Sequence, residues 1–194
     1  MTTTRIALAS AASLLLAGCI SFGAKPPESL LSLTPTSSVA AGTAINGDVA
    51  QAIQVVEPGA PAKLAVNRVP VQIDDTQVAY VEDAVWVDKP TRLFRKLLGE
   101  TIRARTGRLV IDHDDPALTP TNQLRGNLID FGYDARTASV VVTFDAVRDT
   151  NGTQVMTRRF SATVPVAAPE AGPIGAGLNQ AANDVAGQVA DWVR

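Results

Sequence analysis

Three extended segments run one after another in the second half of this chain, at residues 122–133, 138–148 and 154–164, and they constrain its fold more than any other feature. Each is rich in β-branched and aromatic residues. Between the last two stands Asp149-Thr150-Asn151-Gly152, with Asn-Gly at its centre, which predicts a tight antiparallel hairpin. A chain that commits this much length to a meander needs something to cover the sheet's apolar face.

Two helical patterns supply the cover. Over residues 90–106, Leu93, Phe94, Leu97, Leu98 and Ile102 form a stripe at 3.6-residue spacing. Asp88 is the expected N-cap, Pro90 suits the first turn, and Gly107 suits the position just beyond the end. Leu178, Ala182, Val185, Val189 and Trp192 recur at spacings of three or four and predict a second helix over residues 178–193. Residues 166–177, rich in Ala, Pro and Gly, read as a loop before it, with Gly172, Gly175 and Gly177 as a flexible lead. Shorter extended runs are expected at 29–34, 51–56, 63–69, 77–81 and 108–111, with Pro70 at a strand end or edge. Residues 36–48, rich in Ser, Ala, Thr and Gly, read as a flexible loop, and residues 112–121 as a polar one. The order of elements predicts one α+β domain: a mixed, largely antiparallel sheet with two main helices packed on one face.

The N-terminus fixes location. Arg5 is followed by an apolar run from Ile6 to Leu16, then by Ala17-Gly18-Cys19. The run is too short to span a bilayer, which takes roughly 20 residues. Small residues before a cysteine resemble a bacterial lipobox. Residues 1–18 are expected to be a lipoprotein signal peptide, 19–27 a lipidated tether and 28–194 the folded domain. Cys19 is the only cysteine, so no disulfide can form within the chain, and its expected role is acyl acceptor. Lipoproteins of this kind carry palmitate-type chains. Ile20 stands where an Asp would favour inner-membrane retention, so the expected site is the outer membrane, facing the periplasm.

Catalytic constellations are poor. His113 is the only histidine, within Asp112-His113-Asp114-Asp115, and no cysteine or second histidine stands by to complete a transition-metal shell. Adjacent carboxylates in a polar loop read as a solvated turn. Neither a nucleophile elbow nor a phosphate-binding loop is present. A formal net charge of −2 argues against a nucleic-acid partner. The expectations are therefore no enzyme activity, no catalytic residue, no metal and no cofactor beyond acyl chains on Cys19. Trp86, between Tyr80 and the start of the first helix, reads as a core anchor clamping strand to helix, with a ligand or partner surface as the alternative. Arg92, Arg95 and Arg103, taken as exposed charges on that helix, are the candidates for contact with a partner.

The stretch from Leu64-Ala65-Val66-Asn67-Arg68 through Tyr80, Trp86 and Pro90 to the Leu-rich Leu93–Ile102 run resembles the ABC-type transport auxiliary lipoprotein family. Its members are similar in pairing a Tyr-containing strand with a Trp just before a Leu-rich helix, and in ending on an Ala-rich helix. The resemblance implies an auxiliary component of an ABC/MCE-type lipid transport system of the cell envelope. Its expected partners are the membrane, through the lipid anchor, an MCE-domain protein with its ABC transporter, and a further copy of itself in a homo-oligomer. A general envelope scaffold lipoprotein without a transporter is the alternative, and a periplasmic hydrolase relying on His113 a more distant one.

Overall fold

The first predicted helix forms where its stripe lies. In the computed structural model, which describes residues 29–115, 117–118, 120–150 and 154–194, the helix α1 spans Pro90–Thr106, and Leu93, Phe94, Leu97, Leu98 and Ile102 are all buried. Gly107 ends it in the left-handed region (φ 67°), and its N–H donates to the Arg103 carbonyl at 3.0 Å. The start differs from expectation. Lys89, not Asp88, occupies the cap position, because the residue before a proline is held extended (ψ 138°). Asp88 lies one residue too early; its Oδ1 accepts from the Lys89 N–H at 2.7 Å instead.

Seven strands make one open mixed sheet: β1 (Ile53–Val55), β2 (Arg68–Gln72), β3 (Val78–Val85), β4 (Val110–Ile111), β5 (Asn122–Asp134), β6 (Ser139–Thr150) and β7 (Gln154–Pro165). The predicted meander is its backbone. β5 pairs antiparallel with β6, and β6 with β7 over the whole run from Thr150↔Gln154 to Ser139↔Pro165. The turn at Asn151-Gly152 lies outside the described residues. On its other side β5 is shared. Its first residues pair parallel with β1 and its last with β2. Between them Gly59 bridges Asn127, with its N–H on the Gly126 carbonyl at 2.9 Å. β4 and β3 then extend the two ends.

Two extended segments and one proline fall differently from expectation. Residues 63–69 do not run as one strand: Ala62–Leu64 is a 3-10 turn started at Pro61, and the strand begins at Arg68. Pro70 is not at an edge. It sits in an internal strand beside a register shift between Arg68 and Pro70, where the missing N–H breaks no regular ladder. Residues 29–34 form no strand but a single parallel bridge, with the Leu31 N–H on the Val85 carbonyl (2.7 Å) and the Val87 N–H on the Leu31 carbonyl (2.9 Å).

The second helix, α2 (Ala171–Trp192), begins seven residues before its predicted start, inside the expected loop. Pro173 lies in its first turn, where backbone N–H groups have no intrahelical acceptor and a proline costs no bond. Gly175 and Gly177 are contact points rather than a flexible lead. A Cβ on Gly175 would come within 2.6 Å of Leu31 Cδ2, and one on Gly177 within 3.1 Å of Val140 and Val166. Their lack of a side chain lets the helix settle onto the sheet.

The expected flexible loop is also pinned. The chain after Leu31 runs as a strap over both helices. Asn183 of α2 accepts from the Thr36 N–H at 2.8 Å and donates to the Thr34 carbonyl at 3.0 Å. Asn179 accepts from the Thr34 N–H, and Glu100 of α1 from the Val39 N–H at 2.7 Å. Side chains on the helices do here what a neighbouring strand would do in a sheet.

Both helices pack on one face. Phe94 meets Phe144 at 5.3 Å and Phe131 at 6.3 Å between ring centroids, and Trp192 meets Phe160 at 5.5 Å. The opposite face is polar. Arg159 pairs with Asp145 across the β6–β7 ladder, Thr143 shares a hydrogen bond with Ser161, and Lys63 meets Asp130 at 2.8 Å. The whole is an α+β domain of the predicted type.

Candidate functional site

Cys19 and the expected signal peptide and tether lie outside the described residues. The candidate surface on α1 is described, and its three arginines separate. Arg92 has a side chain 54% exposed, within 3.5 Å of Asp88 and 3.6 Å of Glu57. Arg95 is not exposed: its side chain is 8% accessible, its Nε donates to the Val55 carbonyl at 2.8 Å, and one terminal nitrogen reaches Asp114 at 2.9 Å. Arg103 is largely covered. It bonds Glu100 at 2.6 Å, the Val110 carbonyl at 3.2 Å and Asp112 at 3.3 Å. The expectation of exposure holds for Arg92 and fails for Arg95. The reason is local: Arg95 lies on the flank of α1 turned toward β1 and the loop after β4, so its stem is covered while its head ties these segments together.

That tie also explains the run Asp112-His113-Asp114-Asp115. Asp112 sits against Gly99, where a Cβ would come within 2.5 Å of it, and pairs with Arg103. Asp114 is bound by Arg95, and that hydrogen bond, with the guanidinium's charge, holds the Asp114 carboxyl below the ordinary carboxylate value. His113 is 66% exposed, its Nδ1 3.6 Å from Asp112. Asp112 and Asp114 are thus turned to arginines on α1 rather than toward one another. No three metal-ligating side chains converge among the described residues.

Trp86 is 1% exposed and its ring lies 5.4 Å from Phe131 at 59°, so the core-anchor reading holds. Its backbone N–H donates to the Asn67 carbonyl at 2.8 Å. The indole N–H is buried without a partner among the described residues.

A groove of about 300 Å³, not among the sequence expectations, is lined by Lys63, Pro70, Gln72, Asp130, Asp134 and Arg136, among others. Its charges are mutually neutralised. Arg136 binds Asp134 at 2.7 Å and also Asp75, and Asp134 is held below its ordinary value by the hydrogen bond from Arg136. With Lys63 on Asp130, each of these groups has an opposite partner, and none is set up as a free acid, base or nucleophile. The only sequence signal for it was Asp134-Ala-Arg136 in the turn after β5, where the two charges share a face.

Comparison with known proteins agrees with this geometry. Two crystal structures share the fold. One, of an uncharacterized protein, superposes with a TM-score of 0.65 at 17% identity, over 74% of this chain and 92% of the other. The second, a Xanthomonas campestris protein matched to the family model DUF330, gives 0.67 at 16% identity, over 85% of this chain and 94% of that one. No curated protein matches the chain. The family model for the ABC-type transport auxiliary lipoprotein component matches residues 30–190, from the strap to the last turn of α2. The chain belongs to the ABC-type transport auxiliary lipoprotein component family.

Proposed function

We propose that this chain is a lipid-anchored, non-catalytic docking component of an ABC/MCE-type lipid transport system, held at the outer membrane by acyl chains on Cys19 and binding the periplasm-spanning MCE protein. The observation that carries the reading is the family match over residues 30–190 in a chain whose only cysteine follows Leu16-Ala17-Gly18. The domain fits an adaptor. The charges of the described groove are paired with one another, and so are the arginines and Glu100 of α1. Arg92 is the arginine of α1 available for partner contact, while Arg95 and Arg103 act through the loop they hold in place.

The test is fractionation with co-purification. The wild-type chain is expected in outer-membrane fractions with acyl mass on Cys19, bringing an MCE-domain protein with it. Cys19→Ala is expected to release a folded domain into the soluble periplasm. A wild-type chain found soluble and unacylated would overturn the anchor. An acylated chain that never brings down a transport component would leave the scaffold reading in its place. Arg92→Glu is expected to weaken the co-purification without lowering the melting temperature.

A further inference from the structure

The free edge of the sheet at β7 faces a helix across a cleft. β7 pairs with β6 alone, over twelve successive residue pairs without a register shift, whereas β5–β6 is interrupted between Leu128 and Asp130. The direction of each backbone group follows from one bond. The Val166 N–H donates to the Ala138 carbonyl at 3.0 Å, so Val164, Ala162 and Phe160, at alternate positions, point into the β6 ladder. Thr163, Ser161 and Arg159 point their N–H and C=O groups the other way, where no described strand receives them. Pro165 falls on this outward register, as a residue without an N–H should.

Natural edges are guarded by charge, proline or a bulge. Arg159 and Pro165 bound the outward register, and only the run between them, Phe160 to Val164, carries none of these. Ser161, Ala162 and Thr163 also border a cleft of about 580 Å³ whose opposite wall includes Asp184, Gln188 and Asp191 of α2. Three consecutive strand residues, with side chains alternating between faces, can line one cleft only through the backbone edge itself. The helix side is one stripe, spaced at four and three residues. α2 runs alongside β7 in the opposite sense, since Trp192 packs on Phe160 and Gly177 lies against Val166. Asp184, between these two contacts, therefore falls beside the Ser161–Thr163 stretch. Asp191 is held by Arg105 at 3.3 Å and by Arg194 at 3.7 Å. Asp184 is exposed and makes no ion pair or hydrogen bond among the described residues.

We infer that β7 accepts an extended segment of a partner polypeptide as an additional strand, seated between the β7 edge and α2 and carrying a lysine or arginine to Asp184. A strand edge beside a helix suits this mode: main-chain hydrogen bonds give affinity and the flanking wall selects the side chain. A second copy of this chain, whose β7 would bring Arg158 and Arg159, is the other occupant, and the test below separates it. The inference rests on the proposed function only in supposing a protein partner, for which it names the contact.

The probe is a seven-residue peptide of alternating threonine and valine with a central lysine, titrated into the detergent-purified full chain while amide exchange is followed by NMR. The peptide is expected to slow exchange at Arg159, Ser161 and Thr163, the outward register. Thr163→Pro, which removes an outward N–H and no ladder bond, and Asp184→Lys are each expected to weaken binding about tenfold with an unchanged melting temperature. A glutamate-centred peptide should bind about tenfold more weakly than the lysine one. No protection at these amides, equal binding of the two peptides, or protection by self-association at high concentration without peptide would each overturn the inference. Co-purification of the transport partner is a separate readout. If the partner is captured while the peptide protects nothing, this inference alone falls; if the peptide protects and no transport partner is found, the transport reading alone falls.

Discussion

Arg92, Arg95 and Arg103 share one helix and one charge, yet the fold treats them differently. Arg95 supplies the buried Val55 carbonyl with a donor and carries Asp114 with it. Arg95→Ala strands that carbonyl and opens a gap beneath α1, and is expected to cost about 2–4 kcal/mol, against about 0.5 kcal/mol or less for Arg92→Ala. Thermal melts of the two variants side by side check this. Trp86→Ala is expected to cost about 3–5 kcal/mol, because a fully enclosed indole leaves a cavity against Phe131. A melting temperature unchanged from wild type would refute that. Trp86 was legible in the sequence because a lone Trp beside a helix start has few other uses. Arg95 was not, because helical spacing places a residue on a flank without saying what packs against that flank. Arg95 lies on the boundary of the Leu93–Ile102 stripe, where a long stem can be buried while its head stays polar.

Among the elements, the long ones were readable, and of the short ones β1, β3 and β4 formed at expected runs while β2 and the segment at Leu31 did not. α1 and the β5–β6–β7 meander carry their own periodicity over eleven residues or more, enough for pattern to dominate. β2 and the bridge at Leu31 are set by what lies beside them. The strap is the plainest case: its backbone is satisfied by asparagine side chains nearly 150 positions away, and no local pattern announces that. Asn183→Ala removes an acceptor for the Thr36 N–H and a donor to the Thr34 carbonyl. The expected cost is about 1–2 kcal/mol, with amide exchange at Thr34 and Thr36 accelerated while that of the α2 core stays slow. The start of α2 was missed for a related reason. Gly172, Pro173, Gly175 and Gly177 are poor helix formers taken singly, but the proline sits in a turn that needs no donor, and Gly175 and Gly177 are required by close contact.

For the whole molecule, charge pairing sets the response to acid. Asp74, Asp114, Asp134 and Asp145 are all held below the ordinary carboxylate value of 3.8, Asp74 by hydrogen bonds from Thr76 and the others by those from Arg95, Arg136 and Arg159. A carboxyl whose value is lower folded than unfolded lends stability that is fully present above 3.8. That stability is lost as pH falls through the lowered values. The melting temperature is therefore expected to be flat from neutrality down to about pH 5 and to fall below about pH 4. The fall should be shallower in Arg159→Ala, which has already given up the Asp145 contribution. Salt should shallow it too, since these pairs lie at the surface. The pairs themselves were invisible in the sequence, where Asp145 and Arg159 stand fourteen positions apart and meet only through the hairpin register. The class of fold was visible, because two amphipathic helices and a meander admit few arrangements.

The strap has a mechanical meaning as well. If Cys19 holds the chain to a membrane while a partner holds the domain, any tension between the two enters through residues 29–39. The bonds it meets there are few and sequential: Leu31 with Val85 and Val87, Thr34 with Asn179 and Asn183, Thr36 with Asn183, Val39 with Glu100. Bonds loaded one after another peel, whereas the long ladders of β5, β6 and β7 share a load. Under pull the strap would come away first and leave the sheet and both helices standing. Eleven freed residues at about 3.3–3.6 Å each would lengthen the leash by at most about 35–40 Å. The domain would carry its own slack, stored as a segment fastened weakly enough to yield before the fold does.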